Sequence, residues 1–327
     1  MSIPRRRITT ALLAFALAGA SRPVLAQAWP AGRPIRLIVG YPPGGGIDFA
    51  ARTVQPAIEK ALGAQLVIDY KPGASGMIAA AELARAAPDG YTVLLANTGP
   101  FAIAPHLQRK PPYDPIAQFT WIAQISEGSY VVVTRADHPA NDLTEFIAWV
   151  KSRPGQVNFA SAGIGASTHL NGELLNQAAD LDMTHVPYKG SAPAIQELVG
   201  GQTQVLVDAG TVLIPQVRGG RLKALAVTGA RRDPALPDVP TVVELKLPAF
   251  EAAGFQGLVG PANLPPAIVE RLAGAIESAV RDDDVRAKLL GAGSEPRYRS
   301  PAEFAAFGRA ENDKWLRLIR ERKLQTD

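Results

Sequence analysis

The chain has 327 residues, with 34 lysines and arginines, 30 acidic residues and no cysteine, which excludes disulfides, thiolate zinc sites and a cysteine nucleophile. The first 26 residues hold four arginines and no acid, so the rest of the chain carries 30 residues of each sign. Its net charge is then zero, which leaves no basic surface of the kind that binds nucleic acid, and no nucleic-acid partner is expected.

Residues 1–26 have the pattern of a cleavable export signal. Arg5, Arg6 and Arg7 precede an apolar stretch at 8–20, and the small residues around Ala26 suit signal peptidase. The apolar stretch is shorter than the roughly 20 residues that span a bilayer, although an uncleaved anchor remains the alternative. The adjacent arginines also fit a twin-arginine signal, so both Sec and Tat export stay open. We therefore expect a periplasmic protein.

After this segment, short β-branched runs alternate with helical stretches, as in sheets covered by helices on both faces. In the first part the predicted strands are 35–39, 65–68 and 92–95, with helices at 47–62 and 76–87. A proline-rich loop at 105–119 follows. In the middle, the predicted strands are 130–134, 157–161, 183–187, 205–208 and 222–227, with helices at 143–151, 168–178, 192–199 and 212–218.

The last hundred residues are mainly helical. Helices are predicted at 267–281, 285–290 and 301–322, and only 257–260 suggests a strand. These helices need a sheet to cover, most economically the first one. The sequence thus predicts an α/β protein of two lobes, each a mostly parallel sheet flanked by helices. The expected bounds are 27–123 and 228–327 for the first lobe and 124–227 for the second, with crossovers near 122–134 and 222–228.

Two glycine-rich loops, one in each lobe, suggest an anion site. The first loop, 41–46, and the second loop, 162–168, each connect a predicted strand to a helix. The amides of a helix's first turn have no helical partners, and the helix dipole adds positive charge there. Neither loop has Lys or Arg at its tip, and neither matches a P-loop or a dinucleotide fingerprint. Neutral donors of this kind suit a carboxylate, whereas ordinary structural turns are the alternative interpretation.

Three further polar positions have two interpretations each. Asp48 either pairs with Arg52 four residues later or holds a water that touches the ligand. The segment 97–99 follows a strand end, where ligands of α/β sheets collect, and is otherwise a turn. Asp208 follows two apolar residues, and a buried acid needs either backbone amides or a ligand's ammonium or hydroxyl group as partner.

A catalytic function has weak support. Ser167, His169 and Asp208 have the residue types of a triad, but side chains two apart at a helix start do not face each other. No G-x-S-x-G elbow occurs, and the four histidines lack metal-ligand spacing. We interpret His169 as a support of the second loop and expect no metal, no cofactor and no enzyme activity. An exported α/β hydrolase or transferase is the alternative.

At these motifs the sequence resembles the Bug receptors of tripartite tricarboxylate transporters. The matching segments run in order along the chain: 41–48 (YPPGGGID), 69–76 (DYKPGASG), 88–92 (PDGYT), 161–165 (SAGIG) with 168–170 (THL), 186–190 (VPYKG), 236–242 (LPDVPTV) and Lys314-Trp315. The resemblance covers essentially the whole chain after the export signal. It departs from the family's pattern at Asp69, Gln204 and the pair Phe255-Gln256, and the last of these leaves the pocket's shape open.

The resemblance implies a two-lobe, Venus-flytrap periplasmic binding protein of type II-like fold, which holds a small organic carboxylate between the two glycine loops. The solute stays open among dicarboxylates, tricarboxylates, amino acids and aromatic acids. A monomer is expected, serving membrane transporter subunits or a sensor kinase. The ligand-binding residues expected from the loops and the resemblance are Tyr41, Pro42, Gly44, Gly45, Asp48, Thr98, Ser161, Gly163, Gly165, Ala166, Thr168 and Asp208.

Overall fold

The computed structural model of the chain describes residues 29–321 and 323–324, so the predicted export signal lies outside the described residues. The strands of this part are β1 (Ile35–Val39), β2 (Leu66–Tyr70), β3 (Thr92–Asn97), β4 (Phe119–Arg135), β5 (Val157–Ser161), β6 (Met183–Pro187), β7 (Val205–Ala209), β8 (Leu222–Val227), β9 (Ala253–Pro261) and β10 (Glu295–Arg299). The helices are α1 (Gly46–Leu62), α2 (Met77–Leu83), α3 (Ala104–Leu107), α4 (Leu143–Lys151), α5 (Ser167–Ala179), α6 (Ser191–Val199), α7 (Gly210–Arg218), α8 (Pro266–Arg281), α9 (Asp283–Gly291) and α10 (Pro301–Glu321). Among these helices, none combines the length and apolarity that crossing a membrane requires.

The strands form a mixed sheet in the order β2-β1-β3-β9-β4-β7-β5-β6, with β8 and β10 also paired to β4. Parallel pairing is confined to β2-β1-β3 at one end and β6-β5-β7 at the other. The central strands β4 and β9 pair antiparallel with their neighbours. The predicted two-lobe α/β architecture is confirmed, but each sheet is mixed rather than mostly parallel: parallel strands form the outer side of each lobe, and antiparallel strands lie where the lobes join.

Strand β4 belongs to both lobes. Its residues from Phe119 to Ser129 pair with β9, and those from Tyr130 to Arg135 pair with β7 and β8. One uninterrupted strand therefore connects the two sheets. This strand contains the crossover that was expected near residues 122–134.

Both faces of the first sheet are covered. Helix α1 buries Ala50, Val54 and Ile58, spaced four apart on one face, against β1 and α8. On the opposite face, α2 and Phe304 of α10 pack against β3 and the β4 residue Trp121. The C-terminal helices thus cover the first sheet, as predicted.

The second sheet is covered by α4 and α5 on one face and by α6 and α7 on the other. Val242, Phe250 and Ala252, which follow β8 in the chain, also pack into this core. β8 itself pairs with the second half of β4 and does not cross between lobes, in contrast to the second crossover expected at 222–228. The lobe boundaries predicted after residues 123 and 227 are not tested by these contacts alone. We propose that the lobes meet near residues 129 and 252, where strand pairing and core packing pass from one sheet to the other.

Besides β4, which is longer than the predicted strand 130–134, three segments differ from the predicted elements. β9 is longer than the predicted strand 257–260 because it pairs antiparallel with both β3 and β4, and the unpredicted strand β10 pairs antiparallel with β4. The segment from Gly99 to Leu107, partly predicted as loop, is helical and almost wholly buried, beginning with a π turn at Gly99–Ile103. All three depend on partners distant in the sequence.

Candidate functional site

A cavity of about 100 Å³ lies between the lobes, where β1, β3, β5 and β7 end and the middle of β4 passes. Ligands of α/β proteins collect at such strand ends. The predicted site residues that line the cavity are Tyr41, Pro42, Gly45, Thr98, Ala166, Thr168 and Asp208. Residues of both glycine loops thus face one cavity.

The remaining predicted residues, Gly44, Asp48, Ser161, Gly163 and Gly165, are not among the residues that line the cavity. Gly163 has a φ of +130°, and a Cβ there would lie 3.4 Å from the Ser75 Oγ, so the position suits glycine. These residues hold the loops in place. A direct role for them in solute binding stays a prediction.

The first loop is held by Asp48. Its carboxylate accepts hydrogen bonds from the Gly44 amide at 2.8 Å, from the Arg52 Nε at 2.8 Å and from the Tyr70 hydroxyl. Burial opposes ionisation, but these three hydrogen bonds outweigh it and lower the pKa of Asp48. The pairing with Arg52 is confirmed.

Four helices begin at the cavity wall without a side-chain cap. The N-cap residues of α1, α5, α6 and α7 are Gly45, Ala166, Gly190 and Ala209, none of which has a side chain able to accept from the helix. Away from the cavity, α4 and α9 are capped by Asp142 and Asp282, whereas α2 and α8 also lack a side-chain cap, so it is the meeting of four uncapped starts at one cavity that sets this group apart. The free first-turn amides and the dipoles of four helices therefore make the cavity attractive to an anion. Sequence reasoning found two of these helix starts and missed those at Gly190 and Ala209, where the missing cap residue was the available signal.

The second loop rests on a pair of stacked histidines. The rings of His169 and His185 lie 4.0 Å apart, the Gly165 amide donates to His169 Nδ1 at 3.3 Å, and Ser161 Oγ lies 2.6 Å from His185 Nε2. Burial lowers the pKa of His169 to about 4 and that of His185 to about 3, so both rings are neutral near pH 7. The predicted supporting role of His169 is confirmed.

These contacts do not form a catalytic triad. His169 Nδ1 is occupied by the Gly165 amide, and its Nε2 lies 4.0 Å from Glu173. Among the described residues, no hydrogen bond joins His169 to Ser167 or Asp208, and its Nδ1 is used by the Gly165 amide. In the described part of the chain, no group of three or more His, Asp and Glu residues could hold a metal ion.

Asp208 is buried at the end of β7, with 6% of its surface exposed. One carboxylate oxygen accepts from the Ala209 amide at 2.7 Å, whereas Oδ2 has no hydrogen-bond partner among the described residues. Burial raises the pKa of Asp208 to about 6, an effect that Ser191 and the Ala209 amide only partly offset. The backbone partner foreseen from the sequence is present, and half of the carboxylate remains available.

The lobes also touch beside the cavity. The Ser75 hydroxyl donates to the Ile164 carbonyl at 2.6 Å, which joins the first lobe to the second loop. The Tyr41 hydroxyl donates to the Ser75 carbonyl at 2.9 Å, so a cavity residue contacts the residue that bridges the lobes. Ser75 has a φ of +53°, which the packed loop imposes on a non-glycine residue. Sequence reasoning had placed Ser75 in a family motif without a role.

Phe255 and Gln256, where the family's pattern differs, were expected to affect the shape of the pocket, and both line the cavity. The Gln256 side-chain oxygen accepts from the Ser126 hydroxyl at 3.0 Å. Other cavity residues were not predicted. Glu127 pairs with Arg297 and Arg299 of β10. Burial alone would raise the pKa of Glu127, but the two arginines outweigh this effect and the pKa is lowered. The remaining unpredicted polar lining residues include Lys189, Ser191 and Thr211. They come from segments that only the fold brings to the cavity.

Comparison with known proteins supplies a family and a fold. The family model described as the tripartite tricarboxylate transporter family receptor matches residues 50–324. The periplasmic binding protein BugD is 32% identical, with a TM-score of 0.85 over 90% of this chain and 99% of that one. MatC from Rhodopseudomonas palustris, solved with bound malate, is 34% identical, with a TM-score of 0.84 over 88% of this chain and 99% of that one. Rpa4515 of R. palustris, solved with adipate, is 30% identical, with a TM-score of 0.86 over 89% of this chain and 97% of that one.

Proposed function

The chain belongs to the tripartite tricarboxylate transporter receptor family, and from this premise we propose that it captures a small organic carboxylate in the cavity between its lobes. The family and the fold are those of periplasmic binding proteins. Malate and adipate, bound by two structural relatives, are both small carboxylates. The proposal extends that ligand class to this chain.

The observation that carries the proposal is the convergence of four uncapped helix starts on one cavity. Backbone amides with no internal acceptor lose hydrogen bonds when water is excluded, unless an anion accepts them. Among the lining residues, Lys189 is the one lysine or arginine. Neutral amide donors hold a carboxylate without the fixed cations that a phosphate usually recruits.

The cavity walls come from both lobes, so closure and binding are linked. A solute that contacts both loops gains its full set of contacts only when the lobes approach, and it therefore shifts the protein toward the closed form. β4, shared by both sheets, is the element about which such a movement would turn. We propose that the closed form is what a partner protein reads.

The cellular setting follows as part of the same proposal. Residues 1–26 would direct export to the periplasm through the Sec or Tat route and be removed there. The receptor would act as a monomer and pass its solute to membrane transporter subunits, or report it to a sensor kinase. No catalytic step is required of it.

A thermal-shift screen of the mature protein against a panel of carboxylates tests the proposal. A true solute at about a hundred times its Kd should add about 2.7 kcal/mol, which raises Tm by about 5 °C. Gly45→Val should abolish the shift, because the backbone there (φ −90°) accepts any residue and the side chain would enter the cavity. Gly274→Val, on the exposed face of α8 with open space around its Cβ, is the matched control.

Two results would count against the proposal. One is a panel of carboxylates in which none shifts the wild-type protein. The other is a Gly45→Val protein that binds a solute as tightly as the control variant does, since that would remove the first loop from the site.

A further inference from the structure

The two lobes share an apolar contact outside the cavity. Leu170, near the start of α5, belongs to the second lobe and is 0% exposed. The other buried residues of its cluster come from the first lobe: Ala102, Ile103 and Leu107 of the helical segment after β3, and Trp315 and Ile319 of α10. We call these six residues the interlobe cluster. None of the six lines the cavity.

The second loop meets the same part of the first lobe. A Cβ built on Gly165 would lie 3.1 Å from the Ala104 Cβ and 3.4 Å from Leu107 Cδ1. Glycine therefore permits a closer approach of the backbone here than a larger residue would. Because Leu107 also belongs to the interlobe cluster, the loop contact and the cluster form one strip of packing between the lobes, from Gly165 to Leu170.

This strip separates when the cavity opens. The N-cap residue of α5, Ala166, lies in the cavity wall, so a movement that opens the cavity carries the start of α5 away from the first lobe. Leu170 and the apolar side chains around it would then be exposed to water. Because the burial of apolar surface is favourable, the interlobe cluster favours closed lobes whether or not a solute is bound.

A contact that favours closure also affects binding. When a solute binds the closed form, its apparent affinity is reduced in proportion to the fraction of protein able to close on it. An increase in that fraction therefore raises the affinity, although the residue responsible does not touch the solute. Leu170 is placed to act in this way, because it is buried between the lobes and lies outside the cavity.

We propose that Leu170 is a positioning residue, which holds the lobes together and raises solute affinity from outside the cavity. The effect on affinity rests on the proposed function. The effect on closure does not, because it can be measured on the protein without solute. The two parts of the proposal therefore have separate tests.

The same helix offers a matched control. Leu175, five residues after Leu170, is also 0% exposed, but it packs in the core of the second lobe. Leu170→Ala and Leu175→Ala remove the same atoms from the same helix. Both should lower the free energy of unfolding, and only Leu170→Ala should change the closure of the lobes. Leu170→Met, which keeps the volume, should stay within about twofold of the wild type in both tests.

A disulfide trap measures closure without solute. Because the chain has no cysteine, Gly46→Cys and Ala209→Cys introduce a single pair, with one member in each lobe. A Cβ on Gly46 would lie 3.7 Å from the Ala209 Cβ, a separation that a disulfide spans. Thr211→Ala completes this background, because the Thr211 hydroxyl would lie 2.6 Å from the new Cβ. The rate of disulfide formation in a fixed concentration of oxidised glutathione then follows the closed population.

In this background Leu170→Ala should slow disulfide formation about tenfold or more, and Leu175→Ala should leave it within about twofold. The second test uses the chain without introduced cysteines. Calorimetry with a carboxylate identified by the thermal-shift screen should give a Kd about tenfold higher for Leu170→Ala and an unchanged Kd for Leu175→Ala.

Equal rates of disulfide formation with and without Leu170→Ala overturn the proposal, since the interlobe cluster would then stay packed when the lobes open. A rate that Leu175→Ala lowers just as much has the same consequence. Slower disulfide formation with an unchanged Kd overturns the effect on affinity. If no carboxylate of the panel binds, the proposed function fails, while the disulfide trap still decides whether Leu170 holds the lobes together.

Discussion

Ser75 offers the sharpest test of how closure supports binding. Its hydroxyl bridges the lobes by donating to the Ile164 carbonyl at 2.6 Å, and the residue is only 9% exposed. If the lobes separate without solute, this hydrogen bond exists only in the closed form. Ser75→Ala removes it and leaves the backbone cost of the left-handed conformation unchanged, because serine and alanine meet the same steric limit at φ +53°.

The size of the effect follows from one hydrogen bond. A partly buried hydroxyl-to-carbonyl bond contributes about 1 kcal/mol net, which is a factor of about five in an equilibrium constant. Because the apparent affinity scales with the population able to close on the solute, we expect the Kd of Ser75→Ala to rise about fivefold. The increase should appear mainly in the dissociation rate, since the bond helps to keep the lobes shut.

Stopped-flow dissociation and calorimetry with a binding carboxylate would measure this effect. Thr134→Val is the control: its hydroxyl donates to the Gln204 carbonyl at 2.7 Å, but both residues lie in the second lobe. That variant should lose stability with and without solute and keep its Kd. A Kd for Ser75→Ala within twofold of the wild-type value, or a loss that Thr134→Val matches, would refute the closure role of Ser75.

Three further predictions concern stability. Burial lowers the pKa values of His169 and His185 from 6.5 to about 4 and about 3. The folded state therefore favours the neutral rings, and this contribution to stability is complete above pH 6.5 and is lost as pH falls below it. As pH falls from about 6.5 to 5, urea denaturation should show the free energy of unfolding fall by on the order of 1 to 2 kcal/mol per ring. If the free energy of unfolding of His185→Gln fell just as steeply with pH, the prediction would be contradicted. Asp208 acts in the opposite sense: its pKa is raised from 3.8 to about 6, so stability falls as pH rises through that interval. Asp208→Asn should therefore stabilise the solute-free protein at pH 7.5 by on the order of 2 kcal/mol but not at pH 4, and equal effects at both pH values would exclude the charge as the cause. Gly172→Ala should lower the free energy of unfolding by about 1 to 3 kcal/mol, because its Cβ would lie 2.2 Å from the Phe159 ring; an unchanged melting temperature would show that the ring can move aside.

Local sequence patterns were enough to predict the glycine loops and most helices. The loop at Gly45 and the loop at Gly163 each stand between a β-branched strand and a helix, and these neighbours fix their local geometry. The spacing predicted the pair of Asp48 with Arg52, and His169 was interpreted as a support of the second loop; the structure has both contacts. Short-range signals succeed where a residue's partners lie within a turn or two.

Other features could not be predicted because their partners are remote. β10 exists because its residues meet the edge of β4, more than 160 positions earlier in the chain. The contact between Ser75 and Ile164 forms only after two lobes have folded and met. The strand β4, which connects the lobes, was predicted only over residues 130–134 but extends from Phe119 to Arg135. Its first half is a strand because it pairs with β9, which lies more than 100 positions later in the chain.

The shared strand also limits how the protein can be divided. A cut in the chain between Ser129 and Tyr130 would divide β4. The first half of β4 would then lie in one fragment and its partner β9 in the other, so both fragments would expose unpaired backbone amides and carbonyls. Exposed edges of that kind pair with other chains, so separately expressed halves should aggregate rather than fold. For the same reason the intact chain should melt in one calorimetric transition.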